Sequence, residues 1–168
     1  PPTDEPGLAR QVVDPRNAWL VSSMMQDVIR NGTGRKALAL NRHDLAGKTG
    51  TTNDQKDAWF SGFNTELVTT TWIGFDDARP LGRRETGAVA ALPMWVDFMA
   101  VALEGVPESP VPQPAGLVTI RIDPSTGLPV GAGHPRAIFE TFREDQVPEF
   151  SSTLPRIRDQ GLEIPEQL

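Results

Sequence analysis

The sequence predicts an α+β fold in which an antiparallel sheet is packed by helices. Two observations carry this. Apolar residues recur at helical spacing behind Asp14-Pro15 and again from Leu92. Between those stretches lie runs of strand-forming residues joined by turns too short for a crossover, which is the pattern of an antiparallel meander. The chain of 168 residues is long enough for one ordinary domain with one hydrophobic core.

Each element has its local cause. Asp14 is an N-cap acid and Pro15 suits the first helical position, so a helix is expected from about Pro15 to Arg30. Ala18, Val21, Met25 and Val28 form its apolar stripe, widened by Leu20, Met24 and Ile29, and Met24-Met25 reads as core filling. Trp19 is expected to be half buried. Asn31-Gly32-Thr33-Gly34 ends the helix. Strands are expected over Leu45–Thr52, Asp57–Phe63 and Glu66–Phe75, with Asn53-Asp54 and Asn64-Thr65 supplying turn chemistry. A polar loop, Asp76 to Glu85, leads to a second helix with Leu92, Val96, Met99 and Leu103 on one face and Pro93 in its first turns.

At Gly105 the composition changes: ten of the sixteen prolines lie from Pro107 onward. Within this tail Val118, Ile120 and Ile122 alternate with Thr119 and Arg121, the pattern of a half-buried strand that ends at Asp123-Pro124-Ser125-Thr126-Gly127. A further strand is expected over Ile138–Phe142. The organisation is therefore a linker or loop over 1–13, a domain over 14–104 and a proline-rich extension over 105–168 with one or two short strands. A three-stranded sheet is small for this length, and it is expected to continue with strands outside this chain.

Composition excludes several classes. A net charge of −6 without a basic cluster argues against nucleic acid and anionic lipid as partners. The absence of cysteine excludes disulfides, thiolate metal sites and a cysteine nucleophile. His43 and His134 have no metal-spaced partner, so no metal site and no cofactor is expected. Asp76-Asp77 reads as a turn after a strand, Arg83-Arg84 as a solvated loop, and Trp59, Trp72 and Trp95 as core or cleft-wall residues.

The chemistry concentrates in Ala46-Gly47-Lys48-Thr49-Gly50-Thr51-Thr52-Asn53. Side chains alternate along a strand, so Lys48 and Gly50 face one way and Thr49 and Thr51 the other. Two hydroxyls can hydrogen-bond a carboxylate. A lysine can hold a positive field near a reacting serine and favour loss of its proton. Glycine admits close approach of a helix or ligand. At a sheet edge, free N–H groups can stabilise a carbonyl oxygen that becomes negative.

This stretch stands among Thr33-Gly34-Arg35-Lys36, Asp57-Ala58-Trp59-Phe60-Ser61-Gly62-Phe63, Thr71-Trp72-Ile73-Gly74-Phe75-Asp76 and Ala91-Leu92-Pro93-Met94-Trp95. That order resembles the C-terminal part of the transpeptidase domain of class A, bifunctional penicillin-binding proteins, and the tail from Val118 to Gly127 resembles the Gram-negative 1A type. The resemblance implies the penicilloyl-serine transferase fold, with the active site between one sheet edge and a helical lobe. It implies catalytic roles for Lys48 and Thr51 and substrate binding by Thr49, Gly50, Thr51 and Thr52. Lys48 would assist proton transfer at a serine, and the N–H of Thr51 would be one oxyanion donor. The family reaction cross-links peptidoglycan stem peptides through a serine acyl-enzyme and is the target of β-lactam antibiotics. The resemblance also implies a role in cell-wall assembly, cell shape and antibiotic resistance. Localisation would be periplasmic, with an inner-membrane anchor and a glycosyltransferase domain upstream.

The pattern breaks at the nucleophile. Ser22, Ser23, Ser61, Ser109, Ser125, Ser151 and Ser152 all lack a lysine three residues later, and none begins a credible S-x-N. The expectation is a segment that is inactive alone and works with a complementary upstream segment of the same protein carrying the serine. The alternatives are a β-lactamase or D,D-carboxypeptidase on the same fold, or a non-catalytic module that binds another cell-wall protein.

Overall fold

The computed structural model describes residues 11–149. The first ten residues of the expected linker, the end of the tail from residue 150, and Ser151 and Ser152 lie outside the described residues. The chain divides into two compact units, the first ending at Ala115 and the second beginning at Gly116.

In the first unit, helix α1 runs Pro15–Arg30, with the bounds the capping signals predict. The Asp14 carboxylate accepts from the backbone N–H of Arg16 at 2.9 Å and so satisfies one of the donors left open by the first turn. The C-terminal end closes through Asn31 N–H to Asp27 O and Gly34 N–H to Val28 O. The buried face is narrower than the predicted stripe. Ala18 is exposed, Val21 and Met24 are 55% and 63% exposed, and Ile29 is the fully buried residue. Met24 is therefore no core filler. Helical period alone could not choose between adjacent arcs of an apolar surface, and the neighbours of Ile29 decide it. A short 3-10 helix, Arg35–Leu40, follows and buries Ala37.

The sheet is an antiparallel meander of β1 (Ala46–Thr51), β2 (Asp57–Phe63) and β3 (Val68–Gly74), in the order β1-β2-β3. Lys48 pairs with Ser61 and Gly50 with Trp59, while Ser61 and Trp59 pair with Thr70 and Trp72. Register and pleat thus separate two faces. One carries Lys48, Gly50, Trp59, Ser61, Thr70 and Trp72. The other carries Thr49, Thr51, Ala58, Phe60 and Thr71.

The second face is covered by helix α2, Leu92–Ala102, which is entered through a wider π-type turn over Gly87–Ala91. Trp95, Leu92 and Met99 are fully buried with Phe60 and Ala58. Trp95 meets Phe60 edge-to-face at 5.0 Å and donates its indole N–H to Thr69 O at 3.1 Å, so its one polar group is satisfied inside the core. Gly62 is required here, because a Cβ on it would overlap the Trp95 ring. Thr71, also buried, donates to Ala91 O at 2.9 Å and fastens the entrance of α2 to the sheet.

Among the described residues the first face is open. Trp59 and Trp72 are 39% and 44% exposed and lie against each other at 5.9 Å, with the Trp72 indole N–H donating to Asp57 at 3.0 Å. Of the three strand and helix tryptophans expected in the core or cleft wall, only Trp95 is core. The alternation of β2 and β3 turns Trp59 and Trp72 to the opposite face.

Asp44, just before β1, is a buried anchor. It accepts from the Arg42 guanidinium at 2.7 and 2.9 Å, from Asn64 at 3.3 Å and from Ser109 N–H at 3.4 Å. Burial alone would raise its pKa, but the hydrogen bonds from Arg42, Asn64 and Ser109 outweigh it and hold the carboxyl below its ordinary value. Arg42 also donates to Val106 O at 2.7 Å, and Trp19, half buried as expected, donates to Val111 O at 3.2 Å. Residues 106–111, beyond the compositional break, are thereby strapped to Arg42, Asp44 and Trp19 within the first unit.

The second unit contains an antiparallel pair, β4 (Leu117–Ile122) and β5 (Ile138–Arg143), at the predicted strands. Asp123 shapes the turn after β4. Its carboxylate accepts from the Ser125 N–H and hydroxyl at 2.9 and 2.7 Å, and its carbonyl accepts from Gly127 N–H, with Gly127 at φ +72°.

Candidate active site

Strand β1 is an edge strand among the described residues, paired on one side to β2. The turn that follows it sets which backbone groups face outward. Thr52 N–H donates to Asp57 O at 3.0 Å, toward β2. Backbone polar groups alternate sides along a strand, so the N–H and C=O of Thr51 and Thr49 point to the free edge. Lys48 reaches the same edge: its ammonium donates to Thr49 O at 3.0 Å. Side-chain alternation places Lys48 on the open sheet face, yet the flexible stem curls its charge round to the edge carbonyl of Thr49.

The threonines are held individually. The Thr49 hydroxyl lies 2.8 Å from the Thr33 hydroxyl, at the end of the loop that stops α1. The Thr51 hydroxyl accepts from Gly87 N–H at 3.0 Å. A hydroxyl has one proton and two acceptor lone pairs, so Thr51 keeps its proton for another acceptor. The Thr52 hydroxyl accepts from Asp57 N–H at 2.8 Å and lies 3.3 Å from the Asp57 carboxylate, which closes the turn after β1. Gly50 is overlaid by the π-type turn: a Cβ on Gly87 would overlap the carbonyl oxygens of Gly50 and Trp59. The absence of that atom lets the entrance of α2 sit directly on the β1–β2 backbone.

The structure therefore brings Lys48, Thr49 and Thr51 together at one edge, with Gly50 beneath the α2 entrance and Thr52 turned to Asp57. Thr33 and Gly87 join them, Gln55 bonds the loop that leads to Gly87, and sequence reasoning gave none of the three a role at the site. Gly87 stands 36 residues from its partner Thr51 and Gln55 stands 29 from its partner Arg84, so no local pattern could reveal them. A separate groove of about 270 Å³ runs beside α1, lined among others by Trp19, Gln26, Arg30, His43 and Phe63, and does not reach Lys48 or Thr51. Among the described residues, no group of three or more potential metal-ligating side chains comes together, and no helix is long and apolar enough to cross a membrane. Asp76-Asp77 forms a turn, with Ala78 N–H donating to Phe75 O.

An edge strand bearing a lysine, alternating hydroxyls and outward amides, on a sheet backed by α2, defines the class: a serine acyl-transferase scaffold of the transpeptidase kind. The model of the penicillin binding protein transpeptidase domain matches residues 2–79. The chain belongs to the penicillin-binding protein transpeptidase family, as a C-terminal part of that domain. Its similarity lies with the 1A type. It is 49% identical over 164 residues to Penicillin-binding protein 1A of Pseudomonas aeruginosa, covering 98% of the chain and 20% of that protein. It is 54% identical over 110 residues to Penicillin-binding protein 1A of Neisseria lactamica, covering 66% of the chain and 14% of that protein. The crystal structure of Penicillin-Binding Protein 1A from Haemophilus influenzae superposes with a TM-score of 0.78 at 38% identity, over 84% of the chain and 22% of that structure. The chain thus spans a fifth or less of the curated relatives described here. The α+β fold is that of the penicilloyl-serine transferases.

Proposed function

We propose that the chain supplies the lysine-threonine-glycine strand of a peptidoglycan D,D-transpeptidase. The observation that carries this reading is the free edge of β1, where the Lys48 ammonium bonds the Thr49 carbonyl and strand alternation, with Thr52 N–H turned to Asp57, faces the Thr51 N–H outward. A serine from an upstream segment of the same protein attacks the carbonyl of a stem-peptide terminus or of a β-lactam. Lys48 lowers the cost of taking the proton from that serine. The carbonyl oxygen, as it gains charge, is met by the Thr51 N–H; such a fixed donor is worth about 3–4 kcal/mol of barrier. Thr49 and Thr51 bind the substrate carboxylate through their hydroxyls. Gly50 permits close packing at the reacting region, and Thr52 borders the site at the end of the strand. The acyl group then passes to an amine on a neighbouring stem.

The domain over 14–104 is assigned to the transpeptidase and 105–168 to a proline-rich extension. The segment alone is inactive, because an oxyanion donor and a lysine without a nucleophile form no covalent intermediate. The parent protein is periplasmic, anchored to the inner membrane, and carries a glycosyltransferase as well.

The test uses the polypeptide that holds both these residues and the serine. Incubation with a fluorescent penicillin, followed by intact mass, is expected to show one covalent adduct that hydrolyses slowly. Rapid turnover points instead to a β-lactamase. No adduct in the complete polypeptide points to a binding module and overturns the proposal.

A further inference from the structure

We infer that Gln55 is a positioning residue for this reaction: it staples the loop of residues 81–87 to the turn after β1, so that Gly87 N–H holds the Thr51 hydroxyl with its proton presented to the substrate carboxylate. The inference rests on the reading of the β1 edge given above.

Gln55 touches that loop twice. Its backbone oxygen accepts from Leu81 N–H at 2.9 Å, and its side-chain oxygen accepts from Arg84 N–H at 2.8 Å. The two bonds fix the start and the middle of the segment that ends at Gly87. The backbone at both ends of the staple is strained. Asp54, Gln55 and Arg84 have φ of +59°, +54° and +70°, a region that non-glycine residues occupy at a cost. Such conformations persist where the surroundings over-determine them, and they cluster at functional sites. Here they turn the Arg84 N–H onto Gln55 and bend the chain so that Gly87 arrives over Gly50.

The consequence falls on one hydroxyl. Thr51 accepts from Gly87 N–H at 3.0 Å, so its own proton is directed away from the loop. Without that donor the exposed Thr51 hydroxyl would sample orientations in which a lone pair, not the proton, meets an incoming carboxylate. Gly87 acts through its backbone, and any side chain on it would overlap the carbonyls of Gly50 and Trp59. Gln55, half buried and at the near end of the staple, is the side chain through which the arrangement can be altered.

The experiment measures second-order acylation rates of the complete polypeptide by a penicillin and by the same penicillin with its carboxylate methylated. Gln55→Ala is expected to slow acylation by the free acid about tenfold, the scale of one hydrogen bond, and to leave the rate with the ester unchanged. Gln55→Glu, which keeps an oxygen for Arg84 N–H, is expected to restore most of the rate. In a Thr51→Ala background, Gln55→Ala is expected to add nothing. Equal loss with both ligands, an additive double variant, or an unaffected Gln55→Ala would overturn the inference while leaving the acyl-transfer reading intact. A wild-type polypeptide that takes no acyl group from either ligand would overturn both.

Discussion

Gly87 donates its backbone N–H to the side chain of Thr51 across 3.0 Å, and it can do so because it carries no Cβ between itself and the carbonyls of Gly50 and Trp59. One missing atom thus joins the entrance of α2 to strand β1. Gly87→Ala must push the π-type turn off the sheet, loosening the cover over Ala58 and Phe60 as it does. The expected cost is about 1–3 kcal/mol of stability, as for other overpacked sites. Urea unfolding of the variant beside wild type measures it; an unchanged midpoint would show that the turn relocates freely.

Lys48 places a positive charge at the edge on which the Thr51 N–H opens. In the complete polypeptide, Lys48→Met is expected to lower the rate of penicillin acylation by about two to four orders of magnitude, the range for loss of a group that assists proton transfer. Folding should be unaffected, because Lys48 is exposed. Stopped-flow labelling, with circular dichroism as the control for fold, distinguishes the outcomes. Acylation at the wild-type rate would remove Lys48 from the chemistry.

Asp44 binds Arg42, Asn64 and the Ser109 N–H from a position almost fully closed to solvent. Its folded pKa lies below the ordinary 3.8. The unfolded chain therefore binds the proton more readily, and the stabilisation is complete above that value. It drains away as pH falls from 3.8 through the lowered folded pKa. Thermal melts between neutral and strongly acid pH should show this loss, and Asp44→Asn should flatten it. Asp44→Ala takes from the half-buried Arg42 its bidentate partner and leaves Asn64 and the Ser109 N–H without their acceptor, and should cost about 1–3 kcal/mol. An Asp44→Ala variant as stable as wild type would show that the strap of residues 106–111 holds by other means.

Trp95 is the largest fully buried side chain, and it fills the layer between α2 and the sheet. Trp95→Ala should destabilise by about 3–5 kcal/mol, through lost burial and the cavity left behind. Trp72→Ala, on the open face, should cost much less in this chain. Chemical denaturation of the two variants side by side tests the assignment of the two faces.

Much was legible in the residues themselves. The bounds of α1 followed from Asp14-Pro15 and the Asn31-Gly32 stop, β2 from its run of aromatic residues, and the hairpin turns from Asn53 and Asn64. The family, too, could be read from the order Lys48-Thr49-Gly50-Thr51 then Asp57-Ala58-Trp59-Phe60. These signals are local: a cap, a turn or a strand-forming run acts within a few residues and survives in one dimension.

Tertiary structure decided the rest. Helical period put Val21, Met24 and Ile29 alike inside, whereas packing fully buried Ile29 and left Val21 and Met24 exposed. A tryptophan's bulk left core and cleft wall both open for Trp59 and Trp72, and the register with β1 turned them to the open face. Thr33 and Gly87 came to the site through bonds to Thr49 and Thr51, and Gln55 met Arg84, all far apart along the chain. The physical reason is common to all three cases. Which side of an element is buried, and which donor meets which acceptor, depends on surfaces that become neighbours only when the chain has closed on itself.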